Sequence, residues 1–505
     1  MYNPSRQQFL ALSRKGNLIP VYKEILADLE TPVSAYFKIA RGAKYSFLLE
    51  SVEGEEKIAR FSFLAKDPEL IFQSKENSVK MSQFKNGRLT TTSRKLKESP
   101  LRHLREIMRG YRFVQLPELP RFCGGLVGYL SYDVVRYFEK LPRKAKDDLK
   151  LPDALFVLTR SLVIFDHRNH NIKVVYCARV DPEASLRKKL KAYKEALKKI
   201  DELVAELKQP LKLPKFVGAG RGVRANTKGR SLQSNFTKER FVSIVRKAKE
   251  EIKRGEIIQV VLSQRLEVNL KIDPFDVYRE LRVLNPSPYM FYLNFNGLKL
   301  IGSSPELLVR CEGGIVETRP IAGTRRRGKD EKEDEALARD LLNDAKEKAE
   351  HIMLVDLGRN DLGRVCVKGS VRISEFMTVE KYSHVMHIIS NVQGKLHPSK
   401  NILDVLQAAF PAGTVSGAPK IRAMEIIEDL EKVSRGPYAG CVGYLSFSGN
   451  LDTCITIRTI VVKGNKAYIQ AGAGIVADSQ PQREYQETLN KAKAQMLAIE
   501  LAHQN

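Results

Sequence analysis

From residue 411 the chain reads Pro411-Ala412-Gly413-Thr414-Val415-Ser416-Gly417-Ala418-Pro419-Lys420, a run of small residues and glycines that ends in a lysine. Glycine-rich backbone leaves N–H groups open to an anion, and a lysine adds positive charge. The last third of the chain holds three further pieces with matching chemistry: Pro320-Ile321-Ala322-Gly323-Thr324-Arg325, the pair Glu347 and Glu350, and the set Glu484, Glu487 and Lys491. Together the four pieces predict a site for an anionic substrate, in which two carboxylate pairs could hold a divalent metal.

The composition indicates a large globular protein. The 505 residues are enough for two or three domains or for one interleaved body, and 43% of them are hydrophobic. No apolar run reaches the roughly 18 to 20 residues that a membrane span needs, and the first residues lack the apolar core of a signal peptide. The 6 cysteines show no C-x-x-C spacing, so the sequence indicates neither a zinc site nor a disulfide framework. We therefore expect a cytoplasmic protein.

The net charge of +26 raises the alternative of a nucleic-acid-binding protein. The densest basic stretch, residues 182–208, carries an apolar stripe at helical spacing: Leu186, Leu190, Tyr193, Leu197, Ile200, Val204 and Leu207. Such a stripe is typical of a helix that docks on a core, which makes its lysines a solvated face. A polyanion-binding surface remains the alternative for this helix.

Composition divides the chain into three parts. Residues 14–207 form a β-rich region with candidate strands at 45–50, 154–165 and 172–178. Residues 208–234 are rich in proline and glycine and form a predicted linker or mobile loop. Order returns in residues 235–493, where the pattern predicts a helix near 237–254, a strand at 257–265 and a charged helix at 331–357. Two segments that echo each other, 125–131 and 440–446, are predicted strands whose glycines allow another backbone to approach.

The paired glutamates are spaced for one face of a helix. Glu347 and Glu350 stand at i and i+3, and Glu484, Glu487 and Lys491 stand at i, i+3 and i+7. Mg²⁺ takes one or two protein carboxylates and fills its octahedron with water and substrate oxygens. One glutamate from each helix would be enough for a magnesium site. Each pair taken alone fits equally an exposed face of an amphipathic helix.

Further candidates surround these pairs. Gly472, Ala473 and Gly474 follow an apolar strand pattern and leave backbone N–H groups for an anion. Arg458 lies in an alternating pattern and could bind a carboxylate with two hydrogen bonds, or could form a structural ion pair. His387 is either a proton-transfer group or a hydrogen-bonded core histidine.

At this point the sequence resembles the chorismate-utilising enzymes. The matching segments occur in the order of that family: 257–265, 302–306, 320–325, 356–361, 411–420, 438–445 and 471–479. They span residues 235–493, and Leu48-Leu49-Glu50-Ser51 resembles the regulatory element of the anthranilate synthase branch. The resemblance implies an α+β fold, with large antiparallel β-sheets packed as a sandwich, helices outside, and interleaved N- and C-terminal regions.

Two positions discriminate among the branches of this family. Isochorismate and salicylate synthases carry a water-activating lysine where this chain has Gln259. Aminodeoxychorismate synthases usually carry a nucleophilic lysine where it has Ala322. The absence of both lysines resembles anthranilate synthases, in which ammonia itself is the nucleophile. The resemblance thus implies a magnesium-dependent lyase that makes anthranilate and pyruvate from chorismate and ammonia in tryptophan biosynthesis. Aminodeoxychorismate synthase component I remains the nearest alternative.

The resemblance also implies residue roles. Mg²⁺ is expected on Glu350 and Glu487, with Glu347 and Glu484 in support. The residues expected to hold the substrate are Thr324, Tyr438, Arg458, Gly472, Ala473, Gly474 and Lys491. Proton transfer is expected from His387, Glu306, Thr414 and Glu347.

Two partners are implied besides chorismate. The chain shows no glutaminase segment, so we expect a separate glutaminase subunit that supplies ammonia, and hence a hetero-oligomer. We also expect tryptophan to act as a feedback effector, bound by Glu50, Ser51, Pro288, Tyr289 and Met290. Plain strand packing is the alternative for these five residues. The nucleic-acid alternative would use an inactive version of the fold, so it predicts the loss of the metal-site carboxylates, which are all present.

Overall fold

The structure, a computed structural model, describes residues 1–51, 60–85, 88–95, 98–211, 232–382 and 385–504. Most of the predicted linker, residues 212–231, lies outside these described residues. Among the described helices, none combines the length and the apolar character that crossing a membrane requires.

The strands, in chain order, are β1 (Tyr2–Asn3), β2 (Leu18–Leu26), β3 (Tyr45–Glu50), β4 (Phe61–Lys66), β5 (Leu70–Lys75), β6 (Ser78–Lys85), β7 (Arg88–Lys95), β8 (Gly125–Leu130), β9 (Ala154–Thr159), β10 (Ser161–Asp166), β11 (Asn171–Arg179), β12 (Gln233–Ser234), β13 (Gln259–Asn269), β14 (Tyr289–Phe295), β15 (Leu298–Ser304), β16 (Leu307–Glu312), β17 (Ile315–Thr318), β18 (Ile321–Arg326), β19 (Arg372–Lys381), β20 (Val385–Lys395), β21 (Gly417–Ala418), β22 (Cys441–Ser446), β23 (Leu451–Ile455), β24 (Thr459–Lys463) and β25 (Lys466–Ile475).

The α-helices are α1 (Arg6–Leu12), α2 (Pro32–Ile39), α3 (Pro100–Arg109), α4 (Leu186–Leu207), α5 (Lys238–Lys253), α6 (Pro274–Leu284), α7 (Glu331–Asn343), α8 (Ala345–Gly363), α9 (Ile402–Ala409), α10 (Lys420–Leu430) and α11 (Pro481–Gln504). Two short 3₁₀ helices cover Tyr132–Tyr137 and Gly413–Val415.

The strands form two large antiparallel sheets. The first has the spatial order β1-β2-β11-β10-β4-β3-β14-β15-β24-β25-β13-β12, and β21 also pairs with β13. The second has the order β18-β20-β17-β16-β23-β22-β8-β9-β5-β6-β7, and β19 also pairs with β20. Strands from both halves of the chain meet in each sheet, at β3–β14 and at β8–β22. The expected interleaving is therefore present.

The sheets enclose one core, and helices cover the outer face of the first sheet. Along β10, Leu162 and Ile164 belong to the cluster between the sheets, whereas Val163 and Phe165 belong to the cluster under α2 and α4. This alternation follows from the two-residue period of a strand, which points successive side chains to opposite faces. The expected α+β sandwich with outer helices is confirmed.

The two echoing segments lie side by side. β8 and β22 pair antiparallel, with Gly128 opposite Gly443. A Cβ atom on Gly128 would lie 2.0 Å from the carbonyl oxygen of Leu155, and one on Gly443 would lie 2.1 Å from that of Asp452. The predicted close approach of backbones is confirmed at both glycines.

Two predicted elements are each divided in the structure. Residues 154–165 form β9 and β10, which lie in different sheets. The predicted helix at 331–357 is broken at Asp344, which has extended backbone and whose side chain accepts hydrogen bonds from the first-turn amides Lys346 N and Glu347 N of α8. The extended residue ends α7, and its side chain caps the start of α8.

Candidate active site

The predicted site residues meet where α8 and α11 approach the β13–β25 pair, the end of β18 and the loop before α10. Lys346 on α8 lowers the pKa of Glu484 on α11, so the two helices share one electrostatic environment. The four pieces singled out from the sequence therefore lie in one region of the molecule.

The first glutamate pair projects from the start of α8. Burial raises the pKa of the half-buried Glu347, the carboxylate of Glu350 raises it further, and Arg325 lowers it from 3.6 Å. Glu350 accepts a hydrogen bond from the Gln259 amide at 3.2 Å. A raised carboxylate pKa beside another carboxylate indicates negative charge that the protein compensates only in part.

The second pair lies on α11. Glu487 forms an ion pair with Lys491 at 2.7 Å. Burial raises the pKa of Glu484, a hydrogen bond from Ser479 opposes this rise, and the charge of Glu487 adds to it. Both helices thus present a glutamate that a cation would stabilise in the ionised form.

The carboxylates do not enclose a metal by themselves. No group of three or more His, Cys, Asp and Glu side chains among the described residues is arranged to hold one. The donor set nevertheless suits Mg²⁺, which takes few protein carboxylates and prefers oxygen ligands, the rest coming from water and substrate. The residues fit an ion that the substrate helps to bind.

Residues 472–474 form the glycine wall, a side of the site that carries no large side chain. Gly472, Ala473 and Gly474 lie within β25, not after the strand as the sequence pattern predicted, and they pair with β13. A Cβ atom on Gly472 would lie 2.6 Å from the Tyr438 hydroxyl, and one on Gly474 would lie 2.6 Å from the Gln259 amide nitrogen. Larger residues would therefore displace two side chains of the site.

The backbone of this wall is open on one side. β24 pairs with β25 only as far as Ile469, so within the described residues the stretch 470–475 has a strand partner in β13 alone on that part of the sheet. Lys491 donates from Nζ to the carbonyl oxygen of Gly472 at 3.1 Å. The free edge therefore faces basic groups, as an anion site requires.

Arg458 does not lie in a strand, contrary to the prediction. Its φ of 51° falls in the left-handed region, between β23 and β24. This turn lets Nη1 donate to the carbonyl oxygen of Lys491 at 2.6 Å. Burial lowers the pKa of Arg458, while Tyr438 and Glu487 raise it. The guanidinium is thus a half-buried cation next to the residues predicted to hold the substrate.

His387 is held by the backbone of β18. Its Nδ1 donates to the carbonyl oxygen of Gly323 at 2.7 Å, and Oγ1 of Thr324 lies 3.2 Å from the same nitrogen. Burial lowers its pKa, the bond to Gly323 opposes this, and Arg458 lowers it further. A neutral imidazole with a proton on Nδ1 keeps Nε2 as a proton acceptor.

The turn at Gly323 requires glycine. Its φ is 67°, and a Cβ atom there would lie 2.9 Å from the Leu341 side chain and 3.2 Å from Oε2 of Glu347. The β18–β20 register shifts here, between Ala322 and Arg325. This irregularity brings the carbonyl of Gly323 to His387.

Glu306 is the most deeply buried of the acids predicted for the chorismate site, with 8% of its surface exposed. Burial raises its pKa to about 7, although Thr414 and Lys491 both lower it. The Thr414 hydroxyl is close enough to favour the ionised carboxyl, yet it has no well-aligned hydrogen bond among the described residues. Both residues line one small cavity. A carboxyl with this pKa can give or take a proton near neutral pH.

The five residues predicted to bind tryptophan, Glu50, Ser51, Pro288, Tyr289 and Met290, line a separate cavity between the two sheets. Glu50 is buried and accepts hydrogen bonds from Arg282 at 3.1 and 3.2 Å, and from the Tyr278 hydroxyl. These residues converge, because β3 and β14 are neighbours with Glu50 opposite Met290.

The predicted set omits two residues that the structure places in the site. Gln259 contacts Glu350, and Arg435 contacts Glu431 and lies 5.6 Å from the centre of the Tyr438 ring. Arg435 stands only three residues before Tyr438, which was the available signal. Which strands adjoin β13 cannot be derived from local sequence.

Comparison with known proteins agrees with this geometry. The chorismate binding enzyme family matches residues 44–497. Anthranilate synthase component 1 of Acetivibrio thermocellus is 48% identical over 505 residues, covering 99% of both chains. That of Aquifex aeolicus is 48% identical over 503 residues, covering 100% of this chain and 99% of the relative.

A solved structure shows the same fold. Anthranilate synthase component I from Streptococcus pneumoniae TIGR4 superposes with a TM-score of 0.73 at 39% identity, over 93% of this chain and 98% of that one. Since the family match spans most of the sequence and full-length relatives share nearly half of its residues, the chain belongs to the chorismate binding enzyme family, in its anthranilate synthase component 1 branch.

Proposed function

We propose that this chain converts chorismate and ammonia into anthranilate, pyruvate and water, as the synthase component in tryptophan biosynthesis. The observation that carries the proposal is the full-length similarity to proteins named anthranilate synthase component 1. The site chemistry supports it, because acid–base groups whose pKa values are shifted by burial lie beside open backbone and basic side chains.

The enolpyruvyl carboxylate is assigned to the basic side of the site. Arg458 and Lys491 supply the charge, Tyr438 supplies a hydroxyl, and residues 472–474 supply backbone beside them. Thr324, next to His387, helps to orient the ring. Small residues at 472 and 474 keep the wall free of side chains, so the substrate can lie against backbone.

The ring carboxylate is assigned to the glutamate side. Glu350 and Glu487 would hold Mg²⁺, and Glu347 and Glu484 would support it or its waters. The raised pKa values of Glu347 and Glu484 suit this role, since a nearby cation favours their ionised forms. When bound, the ion supplies charge that neutralises the ring carboxylate.

Two proton transfers are needed, and each is assigned to its own side chains. Ammonia adds at C2 as the C4 hydroxyl leaves, and a carboxyl must donate the proton that turns this hydroxyl into water. Glu306 is our first choice, because burial holds its pKa near 7, and Glu347 is the second. Loss of the C2 proton, with expulsion of the side chain as pyruvate, then makes the ring aromatic. His387 through Nε2 assists this second transfer, and Thr414, beside Glu306, supports it.

The site offers no amine in place of ammonia at the two discriminating positions. Gln259 is neutral and bonded to Glu350, and Ala322 is buried in β18. An external ammonia molecule can therefore take the position of the nucleophile. We assign its supply to a separate glutaminase subunit, which makes the working enzyme a hetero-oligomer of the cytoplasm. Tryptophan is assigned to the cavity beside Glu50 as a feedback inhibitor.

A single assay tests the proposal. The purified chain is incubated with chorismate and ammonium, with and without Mg²⁺, and the products are identified by chromatography. We expect anthranilate and pyruvate, only with Mg²⁺, and no turnover when glutamine replaces ammonium. Aminodeoxychorismate as the product would contradict the assignment and identify the sister activity. Absence of turnover together with steeply salt-dependent polyanion binding would support the nucleic-acid alternative.

A further inference from the structure

One buried arginine ties together three separate pieces of the proposed chorismate site. Arg435 has 3% of its surface exposed, and its side chain makes four hydrogen bonds. Nε donates to Glu431 at 2.9 Å and Nη2 donates to Glu431 at 2.6 Å. Nη1 donates to the carbonyl oxygen of Val415 at 2.7 Å, and Nη2 also donates to that of Val261 at 2.7 Å. Four of its five N–H donors are thus used.

The groups that Arg435 contacts adjoin residues of the proposed site. Val415 follows Thr414, which lies beside Glu306. Val261 pairs with Gly474, so the second carbonyl belongs to the strand behind the glycine wall. The Tyr438 ring has its centre 5.6 Å from the guanidinium, and its hydroxyl reaches the backbone at Gly472.

Glu431 completes the arrangement on the other side. Its Oε1 accepts hydrogen bonds from N and Oγ of Ser263, at 2.8 and 2.9 Å. Ser263 lies opposite Gly472 in the β13–β25 pair. The N-terminal half of the chain also contributes, because the Tyr132 ring has its centre 4.8 Å from the guanidinium. The guanidinium is therefore in contact with the rings of both Tyr132 and Tyr438.

A buried ion pair of this kind is weak support for stability, since desolvation offsets much of the attraction. Its geometry matters more here, because four bonds in fixed directions set the relative positions of the loop, the strand and the ring. We propose that Arg435, held by Glu431, is a positioning residue that fixes Thr414, Tyr438 and the glycine wall relative to one another for chorismate. The inference rests on the proposed function.

Lysine cannot replace this arginine. A guanidinium presents five N–H donors in a rigid plane, whereas an ammonium presents three on a flexible stem. Arg435→Lys keeps the charge next to Glu431 but cannot reach both carbonyls in the same directions. Since a misplacement of about 1 Å can cost about 100-fold in rate, we expect kcat/KM for chorismate to fall by about 100-fold.

A matched control separates positioning from folding. Arg136 likewise has little exposure, 9% of its side chain, and is paired with Glu428 on α10, but its other partners, the carbonyl of Pro142 and Asp133, are not residues of the proposed site. Arg136→Lys should lower the melting temperature as Arg435→Lys does, yet leave kcat/KM within threefold of the wild-type value. An equal loss of kcat/KM in both variants would overturn the inference.

A double-mutant cycle with Tyr438→Phe measures whether the two side chains act together on kcat/KM. A purely structural role of Arg435 would not produce such coupling. If Arg435 acts through Tyr438, the two losses in kcat/KM are not additive, and the double variant is scarcely worse than the worse single one. Additive losses would contradict the inference. Glu431→Gln, which keeps an acceptor oxygen, provides a second variant if Arg435→Lys does not fold; we expect a smaller loss in kcat/KM, again non-additive with Tyr438→Phe. Failure of the wild-type chain to convert chorismate would instead overturn the proposed function.

Discussion

The amide of Gln259 donates a hydrogen bond to Oε1 of Glu350 at 3.2 Å, and so orients a carboxylate that we assign to Mg²⁺. Gln259 has 4% of its surface exposed, and its own oxygen has no partner among the described residues. The space for the amide exists because residue 474 is glycine. A neutral side chain therefore supports Glu350 without competing with a cation for its charge.

Substitution Gln259→Lys should weaken the binding of Mg²⁺ to the site. The ammonium would form an ion pair with Glu350 and compete with Mg²⁺, so we expect the half-saturating Mg²⁺ concentration to rise about tenfold, which equals about 1.4 kcal/mol. Titration of activity with Mg²⁺ measures this. Gln259→Met, which removes the hydrogen bond but adds no charge, should shift the midpoint less. An unchanged midpoint in the lysine variant would argue against Glu350 as a ligand.

Removing a carboxylate tests the metal assignment directly. Glu350→Gln and Glu487→Gln each replace a charged oxygen ligand by a neutral amide, and we expect either change to abolish Mg²⁺-dependent turnover in the ammonium assay. Glu335→Gln serves as the control, because Glu335 forms an exposed pair with Arg339 on α7. Wild-type activity in the Glu350 or Glu487 variant would contradict the assignment.

The buried acid Glu306 makes the rate depend on pH. Since burial raises its pKa to about 7, the protonated form that we assign as the donor is lost as pH rises above about 7. We expect kcat to fall above this pH, and Glu306→Gln to lower kcat by about 10²- to 10⁴-fold. A pH–rate profile measures both effects. If the Gln variant retains wild-type kcat, Glu347 becomes the donor by default.

The same group should make stability depend on pH. Between the ordinary glutamate pKa of 4.5 and the folded-state pKa of about 7, an unfolded chain ionises residue 306 while the folded chain keeps it protonated, so folding loses stability as pH rises through this window. The full effect is on the order of 3 kcal/mol. Glu306→Gln cannot ionise, so its melting temperature should rise relative to that of the wild-type chain between pH 5 and pH 8. Parallel pH curves for the two proteins would rule out a raised pKa.

Sequence predicted the fold through the ordered family segments, and local pattern predicted several elements well. The strand predicted at 45–50 is β3, and the helix predicted near 237–254 is α5. The hydrophobic pattern could not assign β9 and β10 to different sheets, because a continuous apolar run does not show where the chain passes from one sheet to the other. Nor could it show that β8 lies beside β22, since that pairing joins residues more than 300 positions apart.

For the site, sequence indicated the chemical groups but not how they are held. The conformation of Arg458 was mispredicted, because its alternating neighbours hide a single residue with φ of 51°. The role of Gln259 as a contact was missed because β13 and α8 are distant in sequence. The spacing of residues in the sequence indicates which of them share a face of one helix or strand, whereas the site depends on contacts between elements.

The cavity that we assign to tryptophan is linked to the proposed active site by a short series of contacts. Tyr289, which lines the cavity, lies opposite Ser304 in the β14–β15 pair. Ser304 donates from Oγ to the carbonyl oxygen of Ile455 at 2.7 Å, and the amide of Ile455 donates to the carbonyl oxygen of Glu306 at 3.0 Å. A ligand that shifts β14 therefore acts close to the proposed proton donor.

We expect tryptophan to inhibit the ammonium-dependent reaction, with Glu50 as the partner of its amino group. Glu50→Gln replaces the negative carboxylate by a neutral amide. The tryptophan concentration that gives half-inhibition should therefore rise at least about tenfold. Each inhibition curve is normalised to the uninhibited rate of the same variant, so that any change in basal activity cancels. Glu24→Gln, at a pair with Lys173 in the same sheet, is the control and should leave the half-inhibition concentration unchanged. If Glu50→Gln also leaves it unchanged, tryptophan does not bind through this carboxylate, and the five lining residues serve strand packing alone.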